Sequence, residues 1–327
     1  MNLDGITLSV IVSELKDLYD AKIERIYQPL RDEITIYLHS KAGKRRLTLS
    51  ASASDCRLHI TNQTKQNPEK APNFCMVLRK YLLAGRIAGI IQVGLDRTVQ
   101  ILIDSKDEMG ILCRYTLIAE LMGKYSNLIL CDQEGRILDS IKHVSLDVSS
   151  KRQVLPGLKY TLPPSEKKNP LTASAEELAK ILEGKELPGG LQQYIEGISP
   201  QTAIQLCEEY WSEKFPVSVP EAEAYGFALH IQMRIREILE HPMPCLQKDM
   251  NGKPVFFSAV PYAAYSEQGR QSFQTANETI DNFYAIRLYI QQFKSMQDQL
   301  LKLLRKQIVR LEKKVKIHLE TIQGREK

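Results

Sequence analysis

The chain has 327 residues, of which 44 are Lys or Arg and 39 are Asp or Glu, for a net charge of +5. Its 43% hydrophobic and 25% charged content excludes wholesale disorder, and its length suits two or three domains. No apolar run reaches the ~18–20 residues of a membrane-spanning helix. The start, MNLDGITLSV, carries an acid where a secretory leader needs basic residues, so a cytoplasmic protein is expected.

The charge is unevenly spread. Residues 41–80 and residues 285–327 each carry a net +7, so the remainder is acidic. Two basic islands on an acidic body point to a polyanion met at defined places, or else serve solubility alone. Within the first island, Lys44, Arg45, Arg46, Arg79 and Lys80 are candidates for contact with an RNA backbone.

In chain order, Leu8, Ile11, Val12, Leu15 and Leu18 recur at helical spacing and predict a helix over 4–19. Alternating segments at 22–27, 33–38, 46–50 and 57–61 read as strands, and 62–71 reads as a polar loop. Pro72 precedes a second helix, about 73–84, with Asn73 as its expected cap. Strands resume at about 86–93, 97–104, 111–118, 127–132 and 136–142. Helices and strands in this order give an α+β class and not βαβ units.

Ser149 to Pro170 is rich in Ser, Lys and Pro and reads as an extended linker, followed by helices over 172–242. Phe256 to Tyr265 is extended, and 266–277 is loop. From Thr279 onward, Ile290, Phe293, Leu300, Leu304, Ile308, Leu311 and Val315 form a coiled-coil seam. Such a seam needs an antiparallel helix from further along the native protein, or a second chain. Pairing of two truncated copies through the coil is expected.

The chemistry of a typical enzyme is missing from the pattern. The six cysteines are scattered without a C-x-x-C, and no two histidines stand at metal-ligand spacing. Neither a glycine-rich nucleotide loop nor a G-x-S-x-G elbow occurs. No metal or cofactor is implied.

Three stretches stand out instead. Residues 195–206 (IEGISPQTAIQL) fit a helix-hairpin-helix turn, with Gly197 at the turn and Ser199 as cap. Such a turn can hold a phosphate, although Glu196, Glu208 and Glu209 favour a structural hairpin. Leu95-Asp96-Arg97 sits between two strands, where an Asp-Arg pair can offer a guanidinium fork or only a surface ion pair. Glu120 to Asn127 (ELMGKYSN) combines a charge at Lys124 with a stacking ring at Tyr125, or merely caps a sheet edge.

Together with Leu3-Asp4-Gly5, Asn73 to Lys80 (NFCMVLRK), Leu155 to Tyr160 (LPGLKY) and Asp281 to Tyr284 (DNFY), these stretches resemble the NFACT family along the whole chain, in its bacterial fibronectin-binding protein A-like branch. The resemblance implies an N-terminal domain folded like that of formamidopyrimidine-DNA glycosylases (1–170). It further implies a helix-hairpin-helix domain (171–245), an extended return segment packing on the N-terminal domain (246–278) and the first helix of a truncated coiled coil (279–327). It implies ribosome-associated quality control: binding obstructed large ribosomal subunits that carry peptidyl-tRNA, contacting ribosomal RNA, and recruiting tRNA for template-free alanine tailing. The peptide-bond chemistry would belong to the ribosome. By position, Asp4, Asp96 and Arg97 match family residues implicated in tRNA recruitment, and Glu120 and Lys124 extend that set. The chain lacks the glycosylases' N-terminal Pro-Glu, so base excision is not expected. The older family name suggests a rival reading as a surface adhesin for fibronectin.

Overall fold

A computed structural model of the protein describes residues 3–323 except positions 108, 148, 150 and 213, with side chains to residue 320. It divides into two units, Met1–Asp281 and Asn282–Lys327.

The first unit is built on an antiparallel sheet. Its strands are β1 (Lys22–Leu30), β2 (Glu33–Ser40), β3 (Gly43–Ser50), β4 (Arg57–Ile60), β5 (Arg86–Gln92), β6 (Thr98–Lys106), β7 (Leu112–Glu120), β8 (Asn127–Cys131) and β9 (Ile137–Ser140). They run in the order β4-β3-β2-β1-β5-β6-β7-β8-β9. Alternation places Ile34, Ile36, Leu38, Leu47, Leu49 and Leu58 in the core. β1 and β5 pair only around Lys22 and Arg86, then part. Helix α2 (Asn73–Leu82) serves the strand edge exposed there: Cys75 Sγ and Arg79 Nε both donate to the Ile26 carbonyl, at 3.6 and 2.8 Å. The structure thus shows a mixed α+β protein with a large antiparallel sheet, as the sequence predicts.

Several details differ from expectation. The first helix, α1 (Gly5–Glu14), ends early and passes into a 3-10 turn over Leu15–Leu18. Asn73 does not cap α2. Pro72 precedes the helix, and the Asn73 side chain donates instead to Asp139 at 3.2 Å. The stretch read as a linker folds back on the sheet in its first part. Val144 and Val154 pair, and Val154 is buried against Ile118, Ile129, Cys131 and Ile137. One apolar side chain and the anchors Arg152 and Tyr160 outweigh the local Pro and Gly content.

Residues 172–242 hold α3 (Ala175–Leu182), α4 (Gly189–Tyr194), α5 (Pro200–Trp211) and α6 (Glu221–Glu240). Ser174 and Glu177 form a reciprocal capping box at the start of α3. A second sheet, β11-β10-β12, comprises β10 (Cys245–Lys248), β11 (Pro254–Ser258) and β12 (Arg270–Ser272). Its strands are all short, too short for a clear alternation signal, and β12 lies within the 266–277 stretch that reads as loop in the sequence. Helix α7 (Ala276–Gln323) starts three residues before the expected position because Glu14 accepts from the backbone N–H groups of Ala276 and Asn277, at 2.7 and 2.9 Å. In the second unit the seam residues from Ile290 to Val315 are exposed along the helix. Gly324 to Lys327 lie outside the described residues.

Two buried acids, Glu33 and Asp281, tie distant segments to the sheet. Glu33, on β2, is 1% exposed and takes Arg57 at 2.5 Å and Lys65, from the 62–71 loop, at 2.5 Å. His59, on β4, lies 3.5 Å from Asp281 and is buried. Burial pushes the His59 imidazole below its ordinary range, against the opposing pull of Asp281.

Two outcomes follow. Glu33→Ala leaves Arg57 and Lys65 without their buried partner and should cost about 3–5 kcal/mol in urea unfolding. For His59 the unfolded chain binds the proton more readily, so stability should fall as pH drops below about 6.5. Unfolding midpoints between pH 8 and 5 test this, and His59→Gln should flatten that part of the profile.

Candidate functional site

Three chain segments distant in sequence meet at a cleft of about 220 Å3. They are the start of α1 (Leu3-Asp4-Gly5), the β5–β6 loop (Leu95-Asp96-Arg97) and the α4–α5 turn (Glu196 to Pro200), with Lys167 beside them.

The meeting depends on glycine. The Gly5 N–H donates to the Gly197 carbonyl at 3.1 Å. A Cβ built on Gly5 would stand 1.8 Å from the Leu95 carbonyl oxygen and 2.6 Å from Gly197 Cα. No larger residue fits. Gly197 itself has φ +80°, the left-handed region that glycine adopts without strain. Gln92 fastens the same place, donating from Nε2 to the carbonyls of Gly5 and Asp96, at 2.9 and 2.8 Å.

Asp4 is 6% exposed and caps α1, accepting from the Thr7 N–H at 2.8 Å. Its second oxygen accepts the Thr202 hydroxyl at 2.7 Å, and Thr202 also meets Tyr262 at 2.9 Å. Asp4 therefore joins α1, α5 and the segment after β11. Burial, followed by the nearby Asp4 charge, holds the Tyr262 phenol well above its ordinary range.

Asp96 and Arg97 are half-buried and line the cleft. Asp96 Oδ1 accepts the Arg97 backbone N–H at 2.7 Å, which fixes the loop. Glu196 accepts the Leu95 N–H at 3.2 Å from the opposite wall. Desolvation raises the Glu196 carboxyl, the Leu95 N–H opposes that, and Asp96 adds to it. Desolvation and then Arg97 lower the Lys167 ammonium, while Asp96 and Glu196 oppose them. The cleft is thus a narrow site of mixed charge, suited to reading a shaped polar partner. The sequence pattern alone does not single out Lys167 and Glu196 as functional. Their only local signal was a lysine in a Pro-rich stretch and an acid at the hairpin.

Glu120 lies outside the cleft lining. It is 1% exposed, and Arg152 donates to both its oxygens at 2.7 and 2.6 Å, with Tyr160 at 2.8 Å. The next residue, Leu121, donates its N–H to the Arg97 carbonyl at 2.8 Å, so this network braces the Asp96-Arg97 loop from behind. Lys124 is exposed on a 3-10 turn (Gly123–Tyr125), its Nζ 4.9 Å from the centre of the exposed Tyr125 ring. Lys44, Arg45 and Arg46 on β3, and Arg79 and Lys80 on α2, also lie outside the cleft lining. Among the described residues no group of His, Cys, Asp and Glu could hold a metal ion. Among them no helix is long and apolar enough to cross a membrane.

A large antiparallel sheet followed by helices and a long C-terminal helix is also the class of fold seen in solved structures of fibronectin- and fibrinogen-binding proteins. The model of the NFACT N-terminal and middle domains matches residues 4–327, and the chain belongs to that family. It is 35% identical over 288 residues to the Rqc2 homolog RqcH of Streptococcus pneumoniae (strain D39), covering 87% of this chain and 48% of the relative. It is 34% identical over 289 residues to the Rqc2 homolog RqcH of Bacillus subtilis, covering 87% and 49%. The chain spans about half the length of these relatives. Among solved structures, the N-terminal part of the fibronectin/fibrinogen-binding protein of Streptococcus suis is similar, with TM-score 0.71 and 31% identity over 86% of this chain and 98% of that one.

Gly5→Ala should destabilise the protein by at least about 2 kcal/mol, since backbone and not a flexible side chain must give way. Chemical denaturation checks this, with Gly189→Ala as the control, because a Cβ there meets nothing within 4 Å and its backbone is not in the left-handed region.

Proposed function

We propose that this chain is the tRNA-recruiting part of a ribosome-associated quality-control factor. On this reading it binds obstructed large ribosomal subunits and brings tRNA, of the alanine type, for template-free tailing of the stalled nascent chain. The observation that carries the reading is the cleft, where Asp96 and Arg97 stand on a braced loop against the hairpin turn. The relatives named Rqc2 homolog RqcH support it.

The residues divide by role. Arg97 offers the guanidinium, Asp96 sets the loop that presents it, and Lys124 lies on the exposed turn. Asp4 and Glu120 act beneath the surface, one holding α1 to α5 and the other holding the loop's support. Lys44, Arg45, Arg46, Arg79 and Lys80 supply a separate basic surface for RNA. The protein needs no active site of its own, because the peptidyl-transferase centre of the ribosome joins the amino acids. Residues 1–170 would form the glycosylase-like domain, 171–245 the helix-hairpin-helix domain around α4 and α5, 246–278 the return segment and 279–327 the coil. Work at the ribosome implies a cytoplasmic location.

The solved relative named for fibronectin and fibrinogen supports a second reading, as an adhesin. Pull-down of the native full-length protein with sequencing of bound RNA separates the two. Alanine tRNA on large subunits supports the first reading, and protein captured on fibronectin without RNA supports the second.

Asp96→Ala with Arg97→Ala should abolish alanine tailing in a reconstituted assay while changing stability by about 1 kcal/mol or less, since both side chains are only half-buried. Intact tailing, or loss through unfolding, defeats the assignment.

The coil has its own test. Isolated helices are marginal in water, and the seam from Leu300 to Val315 is exposed. The chain should therefore self-associate at micromolar concentration, and Leu304→Lys with Leu311→Lys should make it monomeric by light scattering.

A further inference from the structure

The sheet carries a second feature, away from the cleft lining. Four side chains from four elements form a row. The Arg79 guanidinium of α2 stands 5.4 Å from the Tyr27 ring centre on β1. Tyr27 meets Tyr37 of β2 edge to face, with centres 5.3 Å apart and planes at 77°. The Arg46 guanidinium of β3 stands 5.9 Å from the Tyr37 ring. The register Arg25↔Tyr37↔Arg46 brings a further arginine alongside. All four members of the row are partly exposed.

The two outer guanidiniums are pinned. Arg46 donates to the carbonyls of Asn62 and Gln63 at 2.7 and 3.2 Å and to the Thr64 hydroxyl at 2.5 Å. Arg79 donates from Nε to the Ile26 carbonyl at 2.8 Å. Arg46 has thus committed both terminal nitrogens to the protein and is poorly placed to fork onto a phosphate. What it offers is charge and a flat face. The surrounding cations are the exposed Lys22, Arg25 and Lys44. Glu24, next to Arg25 on β1, is an acid near this end and lies 3.7 Å from His39. Flat π-faces and flat guanidiniums ringed by lysine and arginine match a polyanion that also carries flat rings. A duplex hides those rings, and an unpaired stretch exposes them.

We propose that the Arg79–Tyr27–Tyr37–Arg46 row is a stacking platform for one or two unpaired bases of an RNA segment. It rests on the reading of the protein as an RNA-binding factor and adds a recognition chemistry to its basic island. The rings take the bases, and Lys22, Arg25 and Lys44 take the flanking phosphates.

Fluorescence anisotropy of a labelled single-stranded oligoribonucleotide of about ten residues, with the full chain, tests it. Tyr27→Leu with Tyr37→Leu should weaken binding about tenfold or more while leaving the salt dependence unchanged, because stacking releases no counterions. Tyr37→Trp should keep the affinity. Lys44→Gln should flatten the log–log salt slope by about 0.7. Photocrosslinking of wild-type protein to a 4-thiouridine oligonucleotide needs no variant to fold, and should label Tyr27 or Tyr37. Crosslinks elsewhere only, or an equal loss of double-stranded RNA binding in the leucine variant, would overturn the platform. Binding of transfer RNA that survives such a result leaves the RNA reading standing. A wild-type chain that binds neither oligonucleotide nor transfer RNA defeats both.

Discussion

The contact between Gly5, Leu95 and Gly197 governs the first unit. Two backbones approach so closely that one methyl group would separate them, and the approach forces the β5–β6 loop against the helical hairpin. The side chains that line the cleft are arranged around that contact. Glu196 reaches the Leu95 N–H across the same gap, and with Gln92 and Leu121 it holds the loop that carries Asp96 and Arg97. Gly94, with φ +57°, leaves room for that carboxylate, since a Cβ there would come within 2.6 Å of it.

Charge is used in two ways. Glu33, Asp4 and Glu120 are buried, and each is spent on fastening segments far apart in sequence: Glu33 to Lys65, Asp4 to Thr202 and Glu120 to Arg152. Replacing such links by apolar packing is often neutral in stability, but breaking one partner is not. Their value here is positional, since each fixes a loop that the sheet alone would leave to wander. The lysines and arginines at the surface of β3 and of the second unit are the other kind, supplying a long-range field.

Much of the fold was readable in the sequence because alternation is strong wherever one face of a strand is buried. Ile34, Ile36 and Leu38 announce β2, and Leu47 and Leu49 announce β3. The misreadings share a cause. Asn73 was expected to cap α2, but a tertiary partner, Asp139, claims its side chain. The 149–170 stretch reads as a linker because Ser, Lys and Pro are frequent in it, while Val154 and Tyr160 decide its course through contacts no local pattern reveals. The cleft was legible only as three separate motifs. That Leu3-Asp4-Gly5, Leu95-Asp96-Arg97 and Gly197 line one cleft, with Lys167 beside them, is a matter of long-range topology.

The division of labour between cleft and surface follows from electrostatics. A site that must only attract a polyanion gains from concentrating positive charge, and acids within it are a cost. This cleft gathers Asp4, Asp96 and Glu196 around Arg97 and Lys167. Its net pull on a phosphate backbone is weak, and its acids repel any phosphate that is misplaced. Acceptors among donors discriminate between partners of the same overall charge. On the proposed reading, attraction belongs to the basic faces of β3, α2 and the coil, whose field extends about one Debye length, ~8–10 Å, into solution. Discrimination belongs to the cleft. A protein built this way can meet any RNA quickly and keep only the one whose shape fits between Arg97 and the hairpin turn.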